Sequence, residues 1–347
     1  MKKYQQLAEQ LREQIASGIW QPGDRLPSLR DQVALSGMSF MTVSHAYQLL
    51  ESQGYIIARP QSGYYVAPQA IKMPKAPVIP VTRDEAVDIN TYIFDMLQAS
   101  RDPSVVPFAS AFPDPRLFPL QQLNRSLAQV SKTATAMSVI ENLPPGNAEL
   151  RQAIARRYAL QGITISPDEI VITAGALEAL NLSLQAVTEP GDWVIVENPC
   201  FYGALQALER LRLKALSVAT DVKEGIDLQA LELALQEYPV KACWLMTNSQ
   251  NPLGFTLTPQ KKAQLVALLN QYNVTLIEDD VYSELYFGRE KPLPAKAWDH
   301  HDGVLHCSSF SKCLVPGFRI GWVAAGKHAR KIQRLQLMST LSTSSPM

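Results

Sequence analysis

Val274-Thr275-Leu276-Ile277-Glu278 is a β-branched, apolar run that leads directly into Asp279-Asp280-Val281-Tyr282. A run this short and this continuously apolar reads as a strand covered on both faces, because a half-exposed strand would alternate polar and apolar positions. Similar runs stand at Glu169-Ile170-Val171-Ile172-Thr173, Trp193-Val194-Ile195-Val196-Glu197, Ala242-Cys243-Trp244-Leu245-Met246 and Val304-Leu305-His306-Cys307-Ser308, with helical stretches between them. Strands that alternate with helices predict an α/β domain on a mostly parallel sheet. No internal repeat is visible.

The chain of 347 residues has room for this domain and a smaller one. Its 46% hydrophobic and 18% charged residues exclude a disordered chain. The net charge is zero, so any binding of nucleic acid must come from a local surface. Cys200, Cys243, Cys307 and Cys313 have neither metal-ligand spacing nor a C-x-x-C pair, which predicts unpaired thiols in a reducing compartment and no metal site. No apolar run follows Met1-Lys2-Lys3-Tyr4-Gln5-Gln6, and no stretch approaches the ~20 apolar residues of a membrane span. A cytoplasmic protein is expected.

Toward the N-terminus the periodicity changes. Leu7, Leu11 and Ile15 recur at a four-residue step, predicting an amphipathic helix that ends near Ser17-Gly18. Pro22-Gly23-Asp24 reads as a turn, Ser28 as the cap of a short helix through Leu35, and Gly37 as the break before a helix from about Met41 to Gln53. Tyr55–Arg59 and Tyr64–Val66 then flank Pro60-Gln61-Ser62-Gly63, a hairpin signal. This is a winged helix-turn-helix pattern. The first 68 residues carry six cations and five acids, a bias of +1. Pro68, Pro74, Pro77 and Pro80 then mark a stiff, extended linker. The expected organisation is a winged-helix domain at 1–67, a linker and lead-in at 68–104, and the α/β domain at 105–347.

Gly18-x-x-x-Pro22-Gly23-Asp24-x-Leu26-Pro27-Ser28-x-Arg30, followed by Thr42-Val43, Leu50-Glu51-x-x-Gly54-Tyr55 and Gly63, closely resembles the GntR-type winged helix. The resemblance implies that Arg30 contacts a phosphate and that the Gly63 wing approaches the minor groove. A recognition helix presents its first residues to base edges and phosphates, which makes Ser39, Thr42, Ser44 and His45 candidates, with Arg59 on the wing. Where that family usually has an arginine before Thr-Val, this chain has Phe40-Met41.

Lysine forms a Schiff base with a carbonyl cofactor when its amine is held beside the aldehyde and partly desolvated. Lys312 stands in Ser309-Phe310-Ser311-Lys312, ahead of Pro316-Gly317-Phe318-Arg319-Ile320-Gly321, while Asp279-x-x-Tyr282 ends an earlier buried strand. This set resembles fold-type I aminotransferases, which use pyridoxal 5′-phosphate (PLP). Gly146 with Leu150-Arg151, and Thr173-Ala174-Gly175-Ala176-Leu177, match further motifs in order. The second is a small-residue turn opening a helix, where backbone N–H groups can receive a phosphate.

The resemblance implies a role for each residue. Asp279 keeps the pyridine nitrogen protonated, although Asp280 beside it offers a second carboxylate. Tyr282 and Asn251 hydrogen-bond the phenolic oxygen. Gly175, Ala176, Leu177, Ser309, Ser311 and Arg319 hold the phosphate, where a guanidinium gives two directed bonds. Phe201 or Tyr202 stacks on the ring. Glu278 reads as structural.

A winged helix joined by a linker to such a domain resembles the MocR subgroup of GntR regulators. That implies a PLP-dependent, DNA-binding homodimer that senses an amine or amino-acid-type effector by aldimine exchange at Lys312. An active aminotransferase with an accessory DNA-binding domain is the alternative, and a DNA-binding protein with an inoperative cofactor pocket is a third reading. Two departures accompany the resemblance. The chain stops at Met347, where the family continues into a small C-terminal domain, so a truncated cofactor domain is expected. The family's aromatic residue before Gly146 has no counterpart at Glu141-Asn142-Leu143.

Overall fold

A computed structural model of the chain describes residues 3–60, 62–68, 89–99, 102, 104, 106, 111, 113–135 and 142–343. Most of the linker stretch, with Pro74, Pro77 and Pro80, lies outside the described residues, as do Gln61 and Glu141. The chain divides into two compact units, Met1–Ala86 and Val87–Met347.

In the first unit α1 (Lys3–Ala16), α2 (Leu29–Ser36) and α3 (Phe40–Ser52) precede a hairpin of β1 (Ile56–Arg59) and β2 (Gly63–Val66). Leu7, Leu11 and Ile15 form one core with Val43, Ala46, Tyr47, Leu50, Ile56 and Val66. Burial of each large aliphatic side chain contributes about 1.5–3 kcal/mol. Ser28 caps α2 reciprocally with Asp31, and Gly37 ends it at φ 64°, a conformation that suits a residue without Cβ. The third helix starts at Phe40, one residue earlier than expected, because Ser39 Oγ accepts from the Thr42 amide at 3.3 Å. The Pro22-Gly23-Asp24 turn folds back onto the wing, with Leu26 N donating to Tyr64 O at 2.9 Å and Val66 N to Asp24 O at 2.9 Å.

The second unit contains α4 (Ile89–Ala99), α5 (Leu120–Thr133), α6 (Ala148–Ala159), β3 (Ile170–Thr173), α7 (Ala176–Val187), β4 (Trp193–Asn198) and α8 (Tyr202–Arg210). It continues with β5 (Lys214–Asp221), β6 (Gly225–Ile226), α9 (Leu228–Glu237), β7 (Val240–Leu245) and α10 (Pro259–Gln271), then β8 (Thr275–Asp279), β9 (Val304–Ser309), β10 (Gly321–Ala324) and α11 (Ala329–Leu337). The sheet order is β3-β10-β9-β8-β7-β4-β5-β6. The sheet is parallel from β9 through β5, whereas β10 and β6 run antiparallel to their neighbours.

Alternate strand residues point to opposite faces, so each face of the central strands carries its own core, and a further one gathers Ile154 and Tyr158 on Ile170, Ile172 and Trp322. Val194, Val196, Trp244 and Ile277 pack with Leu180, Leu184, Leu208 and Ile332 on one face. Ile195, Cys243 and Leu276 pack with Leu231, Leu265 and Leu269 on the other. Neither β5 nor β10 is expected from the sequence. Most of β5 is exposed and lacks a continuous apolar run, and β10 has four residues and opens on glycine.

The parallel strands end on one edge of the sheet, where open α/β sheets bind ligands. Asp279 and Ser309 end β8 and β9 there, and Gly321 starts β10 opposite both Ser309 and Thr173. The helix α4 falls inside the stretch expected as linker and lead-in; it packs on α8, with Gln206 Nε2 donating to Asn90 Oδ1 at 3.1 Å. No helix among the described residues is long and apolar enough to cross a membrane.

Candidate functional site

Above the carboxyl edge of the sheet lies a cavity of about 490 Å³. Ala176, Leu177, Phe201, Tyr202, Asn251, Asp279, Tyr282, Ser309, Ser311, Lys312 and Arg319 all line it. The fold thus gathers residues from five separate loops or strand ends around one space. Ile93 and Met96 of α4, and Ala111, also line it, although no local signal in that stretch points to the site.

One end of the cavity is built to approach an anion. Helix α7 begins at Ala176 behind Gly175, which has φ 93° and offers no side-chain cap, so among the described residues no side chain caps the first amides of the helix. The Arg319 guanidinium lies against Gly175 so closely that a Cβ there would collide with it, and Arg319 Nη2 donates to Ala174 O at 3.2 Å. Gly321 likewise lies against the Gly175 and Ala176 backbone, within 2.7 Å of Ala176 N for an added Cβ. Arg319 itself has φ 53°, a left-handed conformation that costs a non-glycine residue on the order of 1 kcal/mol. Ser311 Oγ is buried without a hydrogen-bond partner among the described residues. A cation, a hydroxyl and helix amides converge here, the donor set for a phosphate.

Asp279, also in the cavity lining, is buried, and its Oδ1 has no hydrogen-bond partner among the described residues. Burial, reinforced by the Asp280 charge, pushes its pKa up to about 7, while the Trp244 indole, the Val281 amide and Lys312 oppose the rise. Trp244 Nε1 is buried beside Asp279, near enough to lower its pKa but outside hydrogen-bond geometry with any of the described residues. A buried acceptor of this kind suits a ring N–H. Asp280 faces elsewhere: it accepts from Asn248 Nδ2 at 3.0 Å, and its Oδ2 lies 2.9 Å from His306 Nε2. The structure therefore brings Asp279, and not Asp280, to the cavity.

Behind the wall runs a buried polar chain that the sequence does not announce. Trp322 Nε1 donates to Tyr158 Oη at 3.0 Å, and Tyr158 Oη lies 2.5 Å from His306 Nδ1. Lys262 Nζ continues the chain to Asn248 Oδ1 at 2.6 Å and Leu293 O at 2.7 Å. Glu278 is structural: it accepts from the Ala295 and Lys296 amides at 2.6 and 3.1 Å. Arg151 is structural too, holding Gly146 O and Pro167 O at 3.2 and 2.8 Å.

Lys312 Nζ donates to Ala111 O at 3.0 Å and stands 5.4 Å from the Tyr282 ring centroid. Desolvation lowers its pKa, with Arg319 contributing in the same direction and Asp279 opposing. A depressed amine pKa enlarges the neutral, nucleophilic fraction. Asn251 hydrogen-bonds Tyr282, whose pKa burial and Asp279 push up to about 12. Phe201 and Tyr202 pack with ring centroids 4.7 Å apart and planes tilted by 48°, and both line the cavity. Gly203 leaves room for the Phe201 ring, since a Cβ there would meet it.

In the first unit, Arg30 is exposed near the start of α2, and His45 is exposed with its ring edge-on to Tyr4 at 5.9 Å. Ser44 is half-buried, whereas Ser39 and Thr42 are engaged with each other through their hydroxyls at 2.9 Å. On the wing the Arg59 guanidinium lies 4.4 Å from the Tyr65 ring centroid. Gly63 has φ 110°, and an added Cβ would stand 3.3 Å from Arg25 Nε. Arg25 thus joins Arg59 on the wing through tertiary contact, which no local sequence signal announces.

Residues 114–347 match the family described as aminotransferase class I and II, and residues 3–66 match the bacterial regulatory proteins of the gntR family. The chain is 38% identical over 337 residues to an uncharacterised HTH-type transcriptional regulator, YjiR, of Escherichia coli (strain K12), covering 97% of this chain and 72% of that protein. It is 33% identical over 251 residues to aromatic-amino-acid aminotransferase 1 of Thermococcus litoralis, covering 70% of this chain and 59% of that one. The chain thus spans 59–72% of the length of these two relatives. Among solved structures, the multiple substrate aminotransferase from Thermococcus profundus superposes with a TM-score of 0.67 at 29% identity, over 75% of this chain and 65% of that one. LysN, the alpha-aminoadipate aminotransferase from Thermus thermophilus complexed with N-(5′-phosphopyridoxyl)-L-leucine, superposes with a TM-score of 0.62 at 28% identity, over 67% and 60% of the respective chains.

Proposed function

Since the chain belongs to the class I and II aminotransferase family and carries a gntR-family regulatory domain ahead of that match, we propose that it is a PLP-dependent transcriptional regulator whose DNA affinity responds to an amine or amino-acid effector at Lys312. The observation that carries this reading is the buried Asp279 Oδ1, without a hydrogen-bond partner among the described residues, in the same cavity as a lysine of lowered pKa, within a chain that also carries a winged helix. The residues fit the cofactor. When bound, PLP supplies an aldehyde to which amines add and an electron-withdrawing pyridine ring.

The roles follow from position. Arg319, Ser309, Ser311 and the amides of Gly175, Ala176 and Leu177 bind the phosphate and fix the ring's register. Asp279 holds a proton at the ring nitrogen. Tyr282 and Asn251 hydrogen-bond the phenolic oxygen, and Phe201 or Tyr202 covers the ring face. Lys312 would present its amine to the cofactor's aldehyde, at the position an effector amine would also have to reach. The effector alters DNA binding only to the extent that it binds the two DNA-affinity states differently. Arg30 contacts a phosphate, the Gly63 wing with Arg59 approaches the minor groove, α3 supplies the base contacts, and a homodimer reads paired half-sites.

A second reading, an active aminotransferase, is favoured by the retention of Lys312, Asp279, Tyr282 and Asn251 in one cavity. The two separate in one experiment. Binding to a duplex selected from a random pool is measured for the PLP-loaded chain with and without a panel of amino acids, alongside release of keto acid. The regulator reading expects an amino acid to change DNA affinity in the unaltered chain and not in Lys312→Ala. Steady keto-acid production with constant DNA affinity would contradict it and favour the enzyme.

A further inference from the structure

We propose that α3 selects A·T-rich half-sites by apolar contact of Phe40 and Met41 with thymine methyl groups. This rests on the DNA-binding reading of the first unit and adds the chemical class of sequence that it recognises. The buried residues of α3 are Val43, Ala46, Tyr47 and Leu50, so the opposite face presents Met41, His45 and Gln48. Phe40 and Met41, at the N-terminal end that a recognition helix points at base edges, are 51% and 64% exposed. Two large apolar side chains at that position find their complement on a duplex in the thymine C5-methyl group, which only the major groove displays.

The remaining chemistry of the helix narrows the choice. No lysine or arginine occurs between Phe40 and Ser52, so α3 has no cationic fork for the bidentate contact to guanine O6 and N7. Ser39 Oγ accepts from the Thr42 amide at 3.3 Å and lies 2.9 Å from Thr42 Oγ1, which commits both hydroxyls to the helix start. Glu51 is engaged as well, accepting from the Ala58 amide at 3.1 Å. Gln48 is exposed and carries an amide that pairs with adenine N6 and N7. His45 and Gln48 can each give guanine only a single hydrogen bond, short of the bidentate contact.

The test starts from duplexes enriched by the full chain from a random pool. Each thymine of the enriched half-site is replaced in turn by deoxyuridine, which keeps base pairing and removes only the methyl group. Loss of one buried methyl contact should weaken binding about fourfold, at one or two positions per half-site. The same replacement should have no effect on binding by Phe40→Ala or Met41→Ala, at the position each residue contacts. Both residues are exposed, so these variants keep the fold. Met41→Arg should shift the enriched base at its position toward guanine. Deoxyuridine tolerated at every position overturns the proposal while leaving DNA binding standing. Failure to enrich any duplex overturns the DNA-binding reading and this proposal together.

Discussion

Replacing Asp279 by asparagine should stabilise the chain without cofactor and weaken it with cofactor. Burial raises the Asp279 pKa from 3.8 to about 7, so the folded, cofactor-free chain holds a proton near neutrality that the unfolded chain releases. For a raised pKa, the stability contribution is fully present below the unfolded value, near pH 4, and is lost as pH rises through about 7. A rise of about three pH units, at about 1.4 kcal/mol per unit, makes the loss on the order of 4 kcal/mol. An asparagine side chain is isosteric and unable to ionise, so Asp279→Asn removes this dependence. Urea denaturation of both chains, freed of cofactor, should give a difference near zero at pH 4 that grows toward about 4 kcal/mol at pH 8. Glu197, which burial pushes up to about 8, titrates in both chains and largely cancels in the difference. With PLP added the order should invert, because the neutral amide cannot hold a proton at the ring nitrogen. A stability difference that stays constant from pH 4 to pH 8 would show that Asp279 is not held protonated by its burial.

Gly175→Ala should push the Arg319 guanidinium out of the anion cradle, since the new Cβ collides with it and the backbone stands at φ 93°. Loss of one charge-assisted contact, about 1.5–3 kcal/mol, corresponds to roughly a tenfold or greater fall in PLP affinity by fluorescence titration; unchanged affinity would remove Arg319 from the cradle. Arg30→Ala should weaken binding to all duplexes alike and reduce the salt slope by about 1. An unchanged slope would remove Arg30 from the phosphate contacts.

The α/β character was legible because the central strands are covered on both faces and so spell continuous apolar runs, Val274–Glu278 most clearly. The strand β5 was hidden because exposure lets its sequence vary, and α4 because prolines upstream masked the return to helix. At the cavity, Asp279 and Tyr282 could be read together since a three-residue step from a strand end keeps both near one edge. Trp244 could not, because a tryptophan in an apolar run is indistinguishable from core until its indole is found beside Asp279. The pairing of His306 with Tyr158 spans 148 positions and leaves no local trace. Arg25 reaches the wing only through the register of Leu26 on Tyr64. Local chemistry was therefore readable where one segment supplies it, and unreadable where two segments meet.

Whether Lys312 carries the cofactor is decided most directly by trapping. The chain is incubated with PLP, reduced with borohydride, digested and mapped. One reduced phosphopyridoxyl group is expected, on the peptide containing Ser309-Phe310-Ser311-Lys312, and none in Lys312→Ala. A reduced group on another lysine, or its persistence in Lys312→Ala, would contradict the assignment of Lys312.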